Sequence, residues 1–291
     1  MENPGGTAAR WKRRLHRRRY DVPFANSLWH IDGHHKLIRY KIVIHGGIDG
    51  KSHLVTFMKA ANNNRASTVF LAFKEGVYHC GLPSRVRADH GGEMVAVKAY
   101  MEARRGTGRG SFITGPSTSN QRIERLWVDL QRWSTVRFAE VFGEMEGMGI
   151  VDCTNPVHIW CLHRVFMPAL NESLQHFQQR WNQHPMATKG LGGLSPMQQW
   201  IKSTMTARSQ GVSFPETSEP VGDSDACDQD QGPSVFVDDV NVLVPESLYN
   251  DDIQQQLLNI GPLAFPLPED GGIAHYCRVL EAVALYLEPE L

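Results

Sequence analysis

Hydrophobic residues near the start of the chain alternate with polar ones, as in half-buried β-strands. Three such segments follow one another, at residues 28–34 (LWHIDGH), 41–48 (KIVIHGGI) and 52–59 (SHLVTFMK). Because the connections between them are short, the sequence predicts an antiparallel meander of three strands. Gly46, Gly47 and Gly50, together with Asp49, are assigned to the turn that ends the second strand.

The apolar period then changes from that of strands to that of helices. Residues 66–78 repeat apolar side chains at helical spacing, and the sequence Gly-Leu-Pro at 81–83 ends the segment. Further elements are predicted at residues 84–88 (strand), 93–104 (helix), 110–114 (strand) and 117–142 (long helix). The order β-β-β-α-β-α-β-α predicts an α/β fold with a mixed five-stranded sheet flanked by helices.

The second half of the chain begins as helix and then loses regular periodicity. An apolar stripe predicts a helix over residues 158–181, and Ser195 is placed to cap a short helix that begins at Pro196. Residues 235–244 are compatible with a strand or hairpin, and residues 280–287 form a short apolar segment. Beyond residue 203, an acidic, polar composition predicts a largely irregular tail.

These patterns divide the chain into four regions. They are a basic arm expected to be disordered (1–25), a core (26–150), a helical extension of the core (151–202), and an acidic linker and tail of unknown fold (203–291). Charge follows this division, because residues 1–208 hold 29 Lys and Arg against 15 Asp and Glu, whereas residues 209–291 hold one Arg against 16 acids. A basic body favours a polyanionic partner such as nucleic acid.

Composition excludes several other classes of protein. Hydrophobic residues make up 41% of the chain and charged residues 21%, which is ordinary for a globular protein. We expect no membrane span and no secretory signal, since no long apolar run occurs. The five cysteines are scattered without a C-x-x-C pair, so neither a disulfide framework nor a zinc ribbon is expected.

Three acidic residues stand where such a fold can bring them together. Asp32 ends the first strand, Asp89 follows the fourth, and Glu124 lies in the first turns of the long helix. If strands one and four are neighbours, the two aspartates emerge at the same end of the sheet. Carboxylates so placed repel one another unless cations lie between them, and oxygen ligands favour Mg²⁺ or Mn²⁺. Since the chain has 31 acidic residues, three unrelated surface acids remain the alternative.

The sequences around these acids are more specific than the acids themselves. They read WHID at 29–32, RADHGGE at 87–93 and NQRIERLW at 120–127, and Glu124 follows Asp89 by 35 positions. Together they resemble the D,D-35-E catalytic core of retroviral and retrotransposon integrases. They are most similar to the integrase core-domain proteins encoded by animal and fungal genomes. The segment at 177–200, with its WN, HP, SP and final Trp, resembles the stretch that follows the catalytic helix in integrases.

This resemblance implies a ribonuclease-H-like fold and a polynucleotidyl transferase that cleaves DNA and transfers the strand. It implies that Asp32, Asp89 and Glu124 are the catalytic residues and bind two divalent cations, Mg²⁺ or Mn²⁺. Integrases work as multimers, so a homo-oligomer, a dimer or higher, is expected. A DNA substrate and a basic arm together indicate the nucleus. Neither a membrane nor a small-molecule cofactor is expected as a partner.

Several further residues lie beside the three acids in the sequence or on the same predicted elements. Asp49 is expected to serve a turn. His30 and His34 lie on the same strand face as Asp32, where lining the site, phosphate contact and packing all remain open. Glu93 is interpreted as an acid in the first turn of a helix rather than as a second acid beside the site. Trp127 and Trp133 are interpreted as core or dimer-interface residues.

Six residues are predicted DNA contacts. Four of them are Asn120, Arg122 and Arg125 on the helix of Glu124, and Arg104 at the end of the preceding helix. Arg105 and Arg109 flank the glycines of the loop before the fifth strand. The members on the helix rest on the resemblance, since integrases use this helix to hold DNA ends.

The chain also departs from complete integrases. No His-His-Cys-Cys zinc domain is recognised before Cys80, and the C-terminal region does not resemble a small SH3-like barrel. These differences bear on autonomous transposition more than on nuclease chemistry. The principal alternative is therefore a domesticated, catalytically silent DNA-binding protein of transposon origin. A ribonuclease acting on RNA–DNA hybrids is a third possibility, although the local motifs are closer to integrases.

Overall fold

The structure is a computed structural model that describes residues 22–116, 120–186, 192–212 and 251–287. The basic arm before residue 22, the acidic segment 213–250 and the strand or hairpin predicted at 235–244 lie outside the described residues. Within the described part, no helix has the length and hydropathy that spanning a membrane requires. Its four cysteines are free thiols.

A mixed five-stranded sheet forms the centre of the fold, in the order β3-β2-β1-β4-β5. The strands are β1 (Trp29–His34), β2 (Val43–Asp49), β3 (Val55–Ala61), β4 (Val86–Ala88) and β5 (Phe112–Thr114). The first three strands pair antiparallel, as the short connections predicted. Strand β4 then lies parallel to β1, and β5 parallel to β4. The predicted adjacency of strands one and four is therefore confirmed.

Helices cover both faces of the sheet. They are α1 (Ala66–Cys80), α2 (Val95–Arg105), α3 (Gln121–Leu130), α4 (Val136–Gly147), α5 (Pro156–Gln183), α6 (Pro196–Ser209), α7 (Asp251–Ile260) and α8 (Ile273–Leu287). Helices α1 and α2 pack on one face through a cluster that includes Trp29, Ile31 and Phe73. The other face packs on α3, α4 and α5. This mixed sheet between helical layers is the ribonuclease-H-like fold that the resemblance implied.

Strand β1 shows how the sequence divides its side chains between the two layers. Trp29 and Ile31 point to the α1 and α2 side, where both are fully buried. The alternate residues, His30, Asp32 and His34, face α3, as the period of two predicted. The polar side chains of His30, Asp32 and His34 on β1 therefore all face the same helix.

The prediction for Gly46 and Gly47 was wrong. Both lie inside β2 rather than in its turn, and a β-bulge separates Gly47 from the next residue. A Cβ atom on Gly46 would lie 2.6 Å from the Trp127 ring, and one on Gly47 would lie 2.4 Å from Phe57. These glycines are therefore required by the side chains packed over the strand, a reason that local sequence does not display.

The long helix after β5 is continuous but not uniform. It begins at Gln121, passes through a π-helical turn at Gln131–Thr135, and continues as α4. The π turn buries Ser134, whose hydroxyl lies 2.7 Å from that of Ser173 on α5. A helix was predicted here from residue 117, but residues 117–119 lie outside the described part of the chain.

The caps of the next two helices match their sequences. The Asn155 side chain accepts a hydrogen bond from the N–H of Val157 at the start of α5. Ser195 and Gln198 form a reciprocal capping box at the start of α6, with Pro196 at the first helical position. The prediction of a capped helix at Ser195 is therefore confirmed. Helix α6 continues beyond the predicted boundary at residue 202.

The C-terminal region contributes two helices to the main core, although the sequence analysis assigned it no fold. Ile253 and Leu257 on α7, and Tyr276 and Val279 on α8, are buried in the same cluster as α4 and α5. The N–H of Phe265, between the two helices, donates to Glu172 on α5 at 3.1 Å. Residues 251–287 are thus part of the packed molecule.

The segment before β1 is also packed, although residues 22–25 had been grouped with the arm. Val22 and Ala25 are buried, and the N–H of Ala25 donates to the Ser203 hydroxyl on α6 at 2.8 Å. This contact packs the segment that precedes β1 against α6, whose Ser203 lies 178 residues later in the sequence than Ala25.

Candidate active site

Asp32 and Asp89 lie at the same edge of the sheet because β1 and β4 are parallel neighbours. His30 pairs in register with Arg87, and each aspartate stands two residues further along its own strand direction. Adjacent strands lie about 4.8 Å apart, so equivalent positions on them are close. The carboxyl ends of β1 and β4 therefore bring the first two acids together.

Helix α3 adds Glu124. The Trp127 indole N–H donates to Asp32 Oδ2 at 2.9 Å, and Glu124 is one helical turn before Trp127. Glu124 is exposed, and its charge acts on the Asp32 carboxyl, as does that of Asp89. Asp32 thus lies within electrostatic reach of both other acids.

The environment of Asp32 disfavours its negative charge. Burial, together with the charges of Asp89 and Glu124, raises the pKa of this carboxyl to about 7. The hydrogen bonds from Trp127 and from the backbone of Gly33 act in the opposite direction without cancelling the effect. A carboxylate held in this way lacks a compensating positive charge, which a bound cation would supply.

The donor set fits a hard divalent cation, although its side chains are not gathered as ligands. Across the four described ranges, no group of three His, Cys, Asp or Glu residues is close enough to hold a metal ion as it stands. Asp89 Oδ1 is buried without a hydrogen-bond partner. Carboxylate oxygens are the ligands that Mg²⁺ and Mn²⁺ prefer. On this chemistry, Asp32, Asp89 and Glu124 are the residues that would hold such ions.

Glu93 lies beside this group. It belongs to a short 3₁₀ helix, Gly92–Met94, immediately before α2, and so it stands near a helix start as predicted. The Glu93 carboxyl lies over Gly91. A Cβ atom added to Gly91 would be only 2.2 Å from Glu93 Oε1. Burial raises the pKa of Glu93, and the charge of Asp89 raises it further. Glu93 is therefore an acid near the start of a helix and also an acid close to Asp89.

Asp49 serves a turn, as predicted, at the opposite edge of the sheet. It pairs in register with Trp29 at the start of β1. Its carboxylate is fully buried and accepts hydrogen bonds from Asn26 N, Lys51 N, Ser52 N and Ser52 Oγ. Burial raises the pKa of Asp49 to about 6, against the lowering effect of these donors.

Asn120 joins the start of α3 to β1. Its Oδ1 lies 2.7 Å from His30 Nδ1, and its Nδ2 donates to the carbonyl of Ile31 at 3.0 Å. The residue is only 2% exposed. Both ends of its amide are thus committed inside the protein, so the structure places Asn120 as a link between helix and strand instead of as the predicted DNA contact.

The histidines of β1 are packing residues. Burial lowers the pKa of His30 and of His34 to about 4, so both are neutral at physiological pH. The His34 ring lies 5.3 Å from the Trp127 ring. Of the three roles left open for these residues, packing against α3 accounts for the contacts observed.

Three of the predicted DNA-contact arginines lie away from the acids. Their loop precedes β5, and since β4 and β5 are parallel it lies at the amino ends of these strands. Arg105 Nε donates to the Pro83 carbonyl at 3.0 Å, and Arg109 donates to Ser84 Oγ at 2.9 Å. Arg104 lies over the Tyr100 ring. The structure therefore places Arg104, Arg105 and Arg109 at the opposite edge from Asp32 and Asp89.

Arg122 and Arg125 share α3 with Glu124 but have different surroundings. Arg122 is half-buried, and its charge lowers the pKa of His30 and of His53. Arg125 is exposed and forms an ion pair with Asp129 at 3.4 Å. Of these two arginines, Arg125 is the more exposed.

Trp127 was interpreted as a core or dimer-interface residue, and its 5% exposure confirms the first of these alternatives. Sequence reasoning missed the hydrogen bond from this side chain to Asp32. The spacing of three residues from Glu124 was the available signal, because it places Trp127 on the same side of the helix.

Comparisons with known proteins were made for the whole chain. A family model described as "Integrase core domain" matches residues 19–213. No curated protein gives a significant match.

Several solved integrase structures match this chain at low identity. The magnesium complex of the HTLV-2 integrase catalytic core domain in its trimeric form is 15% identical, with a TM-score of 0.41 over 62% of this chain and 99% of that chain. The BIV integrase catalytic core is 18% identical, with a TM-score of 0.41 over 63% and 99%. The simian T-cell lymphotropic virus intasome with PP2A regulatory subunit B56 gamma is 14% identical, with a TM-score of 0.42 over 63% and 57%. Because the family model covers well over half of its residues, this chain belongs to the integrase core domain family.

Proposed function

We propose that this chain is a metal-dependent polynucleotidyl transferase that cleaves DNA and joins the resulting 3′ end to target DNA. Asp32, Asp89 and Glu124 are its catalytic residues, and they hold two divalent cations, Mg²⁺ or Mn²⁺. Family membership supports the reaction class. The assignment to these particular residues is supported by their placement at one edge of the sheet and on the helix that crosses it.

The observation that carries the proposal is the electrostatic state of Asp32. Its pKa is raised to about 7 by burial and by two neighbouring acids, and the hydrogen bonds that it accepts do not offset this. Burial also raises the pKa of Asp49, but four donors in a turn hold its carboxylate and lower that pKa. Asp32 instead accepts hydrogen bonds from one neutral indole and one backbone N–H. Its negative charge therefore remains available to a cation.

Bound divalent ions supply activation of an attacking oxygen and stabilisation of the leaving 3′ oxygen. The chain's own contribution is to fix the three carboxylates on rigid elements. Strands β1 and β4 set the spacing of the aspartates, and the Asn120 contacts with β1 hold the start of α3 in place. Arg122 and Arg125 are the DNA-contact candidates that share a helix with Glu124, and Arg125 is the more exposed of the two.

Three further parts of the proposal rest on the resemblance. DNA is the polyanionic partner, in keeping with the 29 basic residues among residues 1–208. The working form is a homo-oligomer, a dimer or higher, and the site of action is the nucleus. Expression of a fluorescent fusion with and without residues 1–21 tests the last point, since loss of the arm is expected to abolish nuclear accumulation.

The reaction is tested by nicking of supercoiled plasmid in Mg²⁺ or Mn²⁺. We expect the wild type to nick, and Asp89→Asn to fold normally but give no nicked product. Asp251→Asn is the matched control, because it makes the same change at an exposed position on α7. Retained nicking in Asp89→Asn would contradict the assignment of the catalytic residues.

The alternative, a catalytically silent DNA-binding protein, predicts a different pattern. It is favoured by the separation of the three acids, which do not form a ligand group in the described residues as they stand. In that case the wild type retards the plasmid on a gel, and neither it nor Asp89→Asn nicks in either metal.

A further inference from the structure

Trp127 is the residue of α3 in direct contact with Asp32. Its indole N–H donates to Asp32 Oδ2 at 2.9 Å, and the side chain is only 5% exposed. An indole is a donor only and carries no charge. It can therefore fix one carboxylate oxygen without neutralising the negative charge that a cation requires. A lysine or arginine in its place would fix the oxygen but would also compete with the cation.

The orientation of the indole is determined by the strand that lies next to Asp32. Gly46 on β2 is the register partner of Asp32 on β1. The Trp127 ring lies against Gly46, where an added Cβ would be 2.6 Å from its Cη2 atom. The ring of His34 lies 5.3 Å away and is tilted by 42°. Gly46 on one side and His34 on another thus restrict the orientation of the Trp127 ring, with its N–H directed at Asp32.

This arrangement also couples two of the proposed ligands. Glu124 and Trp127 are one turn apart on α3, whereas Asp32 is on β1. The hydrogen bond therefore connects the helix of the third acid directly to the side chain of the first. Displacement of the indole would alter both the orientation of Asp32 and its distance from Glu124.

We propose that Trp127 is a positioning residue for the metal site, with its indole N–H fixing Asp32 Oδ2 and with Gly46 providing the space that the ring requires. This inference rests on the proposed function, because it assigns Asp32 to a divalent cation. Donors that orient ligand side chains change metal affinity by about 10–100-fold when removed. Loss of the N–H should therefore weaken metal binding while leaving the fold intact.

The test is Mn²⁺ binding by the full chain, measured as free Mn²⁺ by electron paramagnetic resonance. Trp127→Phe keeps an aromatic ring but removes the N–H, and it is expected to raise the half-saturating Mn²⁺ concentration about tenfold. Trp133→Phe is the matched control, because this tryptophan is next along the same continuous helix and packs on Phe177 and Phe265. It should bind as the wild type does.

The outcomes separate this inference from the proposed function. If Trp127→Phe is folded and binds Mn²⁺ as tightly as the wild type, the positioning role is wrong while the metal site stands. If the wild type binds no more Mn²⁺ than Asp32→Asn, the metal site itself is wrong, and the positioning role with it.

A second measurement applies if Trp127→Phe does not fold. The chain has seven tryptophans, so ¹⁵N-tryptophan labelling gives few indole N–H resonances to assign in the wild type. Mg²⁺ is expected to shift the Trp127 indole resonance, and to leave it unchanged in Asp32→Asn. An unchanged Trp127 resonance in wild-type protein that binds Mg²⁺ would overturn the inference.

Discussion

Asp32 and Asp49 are both carboxylates near β1 whose pKa is raised by burial, but they differ in the hydrogen bonds that they accept. Asp49 receives four hydrogen bonds from a turn that it holds together. Asp32 receives the Trp127 N–H and the Gly33 N–H, and it faces two acids. In the absence of metal, we therefore expect replacement of Asp32 to relieve an uncompensated charge. Replacement of Asp49 instead removes an acceptor that three backbone N–H groups and one hydroxyl share.

Asp32→Asn is expected to stabilise the metal-free protein at pH 8. The folded pKa of about 7 lies above the value of an unfolded aspartate. The stability due to this group is therefore complete below about pH 4 and is lost as pH rises to about 7. The mutant should gain about 2 kcal/mol in unfolding free energy at pH 8 and nearly nothing at pH 4, as measured by urea unfolding with a chelator. A mutant that is less stable than the wild type at pH 8 would contradict this.

Asp49→Asn is expected to have the opposite effect in the same assay. An amide replaces one acceptor oxygen by an NH₂ group, which would face either the backbone N–H of Asn26 or those of Lys51 and Ser52. The unfolding free energy should fall by about 2 kcal/mol, because buried donors lose their acceptor. Unchanged stability at pH 8 would show that the turn does not depend on this carboxylate.

At the scale of elements, helix α3 packs closely on strand β2 where Trp127 meets Gly46. Trp127 occupies the space that Gly46 leaves open on β2. Strand β2 is otherwise buried along its whole length, so it has little freedom to shift. The position of α3, and with it that of Glu124, therefore depends on the absence of a side chain at Gly46.

Gly46→Ala is expected to lower the unfolding free energy by about 2 kcal/mol, because overpacking in a dense core is costly. Gly143→Ala is the control, since Gly143 is exposed within α4 and an added Cβ there meets nothing closer than 4.0 Å. That change should stabilise the protein by up to about 1 kcal/mol through helix propensity. Equal effects of the two substitutions in thermal unfolding would contradict the packing argument.

The predictable elements were those whose residues follow a regular period. All five strands and the helices up to α6 were recognised, since alternation and helical spacing are local properties. Gly46 and Gly47 were misassigned because a glycine in a turn and one beneath a large ring look alike in sequence. The position of Arg104, Arg105 and Arg109 depends on β5 being parallel to β4, which their own sequence does not reveal.

The three acids were found through their local motifs, whereas their electrostatic state required the structure. Neither the burial of Asp32 nor its hydrogen bond with Trp127 follows from the spacing of 35 residues between Asp89 and Glu124. The two C-terminal helices were missed for a similar reason. Their apolar residues lie in an acidic region, and only contact with α4 and α5 identifies them as core.

For the whole molecule, the core extends beyond the part that the integrase family model matches. That match ends at residue 213, yet α7 and α8 bury side chains against α4 and α5. Tyr276 is fully buried there, and its hydroxyl donates to the His158 carbonyl at 3.3 Å. The C-terminal helices should therefore support the helical layer that carries α3.

Tyr276→Ala is expected to destabilise the protein by about 3–4 kcal/mol, because it empties a large buried site. Tyr78→Ala on α1 is the control, since that side chain is 72% exposed and its loss should change stability by less than about 0.5 kcal/mol. Thermal unfolding measures both. Tyr276→Ala with the melting temperature of the wild type would show that α8 is not part of the core.

The central claim is that three carboxylates on β1, β4 and α3 support DNA strand transfer. The most direct measurement is the joining of a labelled linear DNA with a free 3′ hydroxyl to supercoiled plasmid in Mn²⁺, with wild type beside Glu124→Gln. The account predicts labelled, covalently joined plasmid with the wild type and none with Glu124→Gln, although both proteins bind DNA. Joined product of equal yield from Glu124→Gln would contradict it.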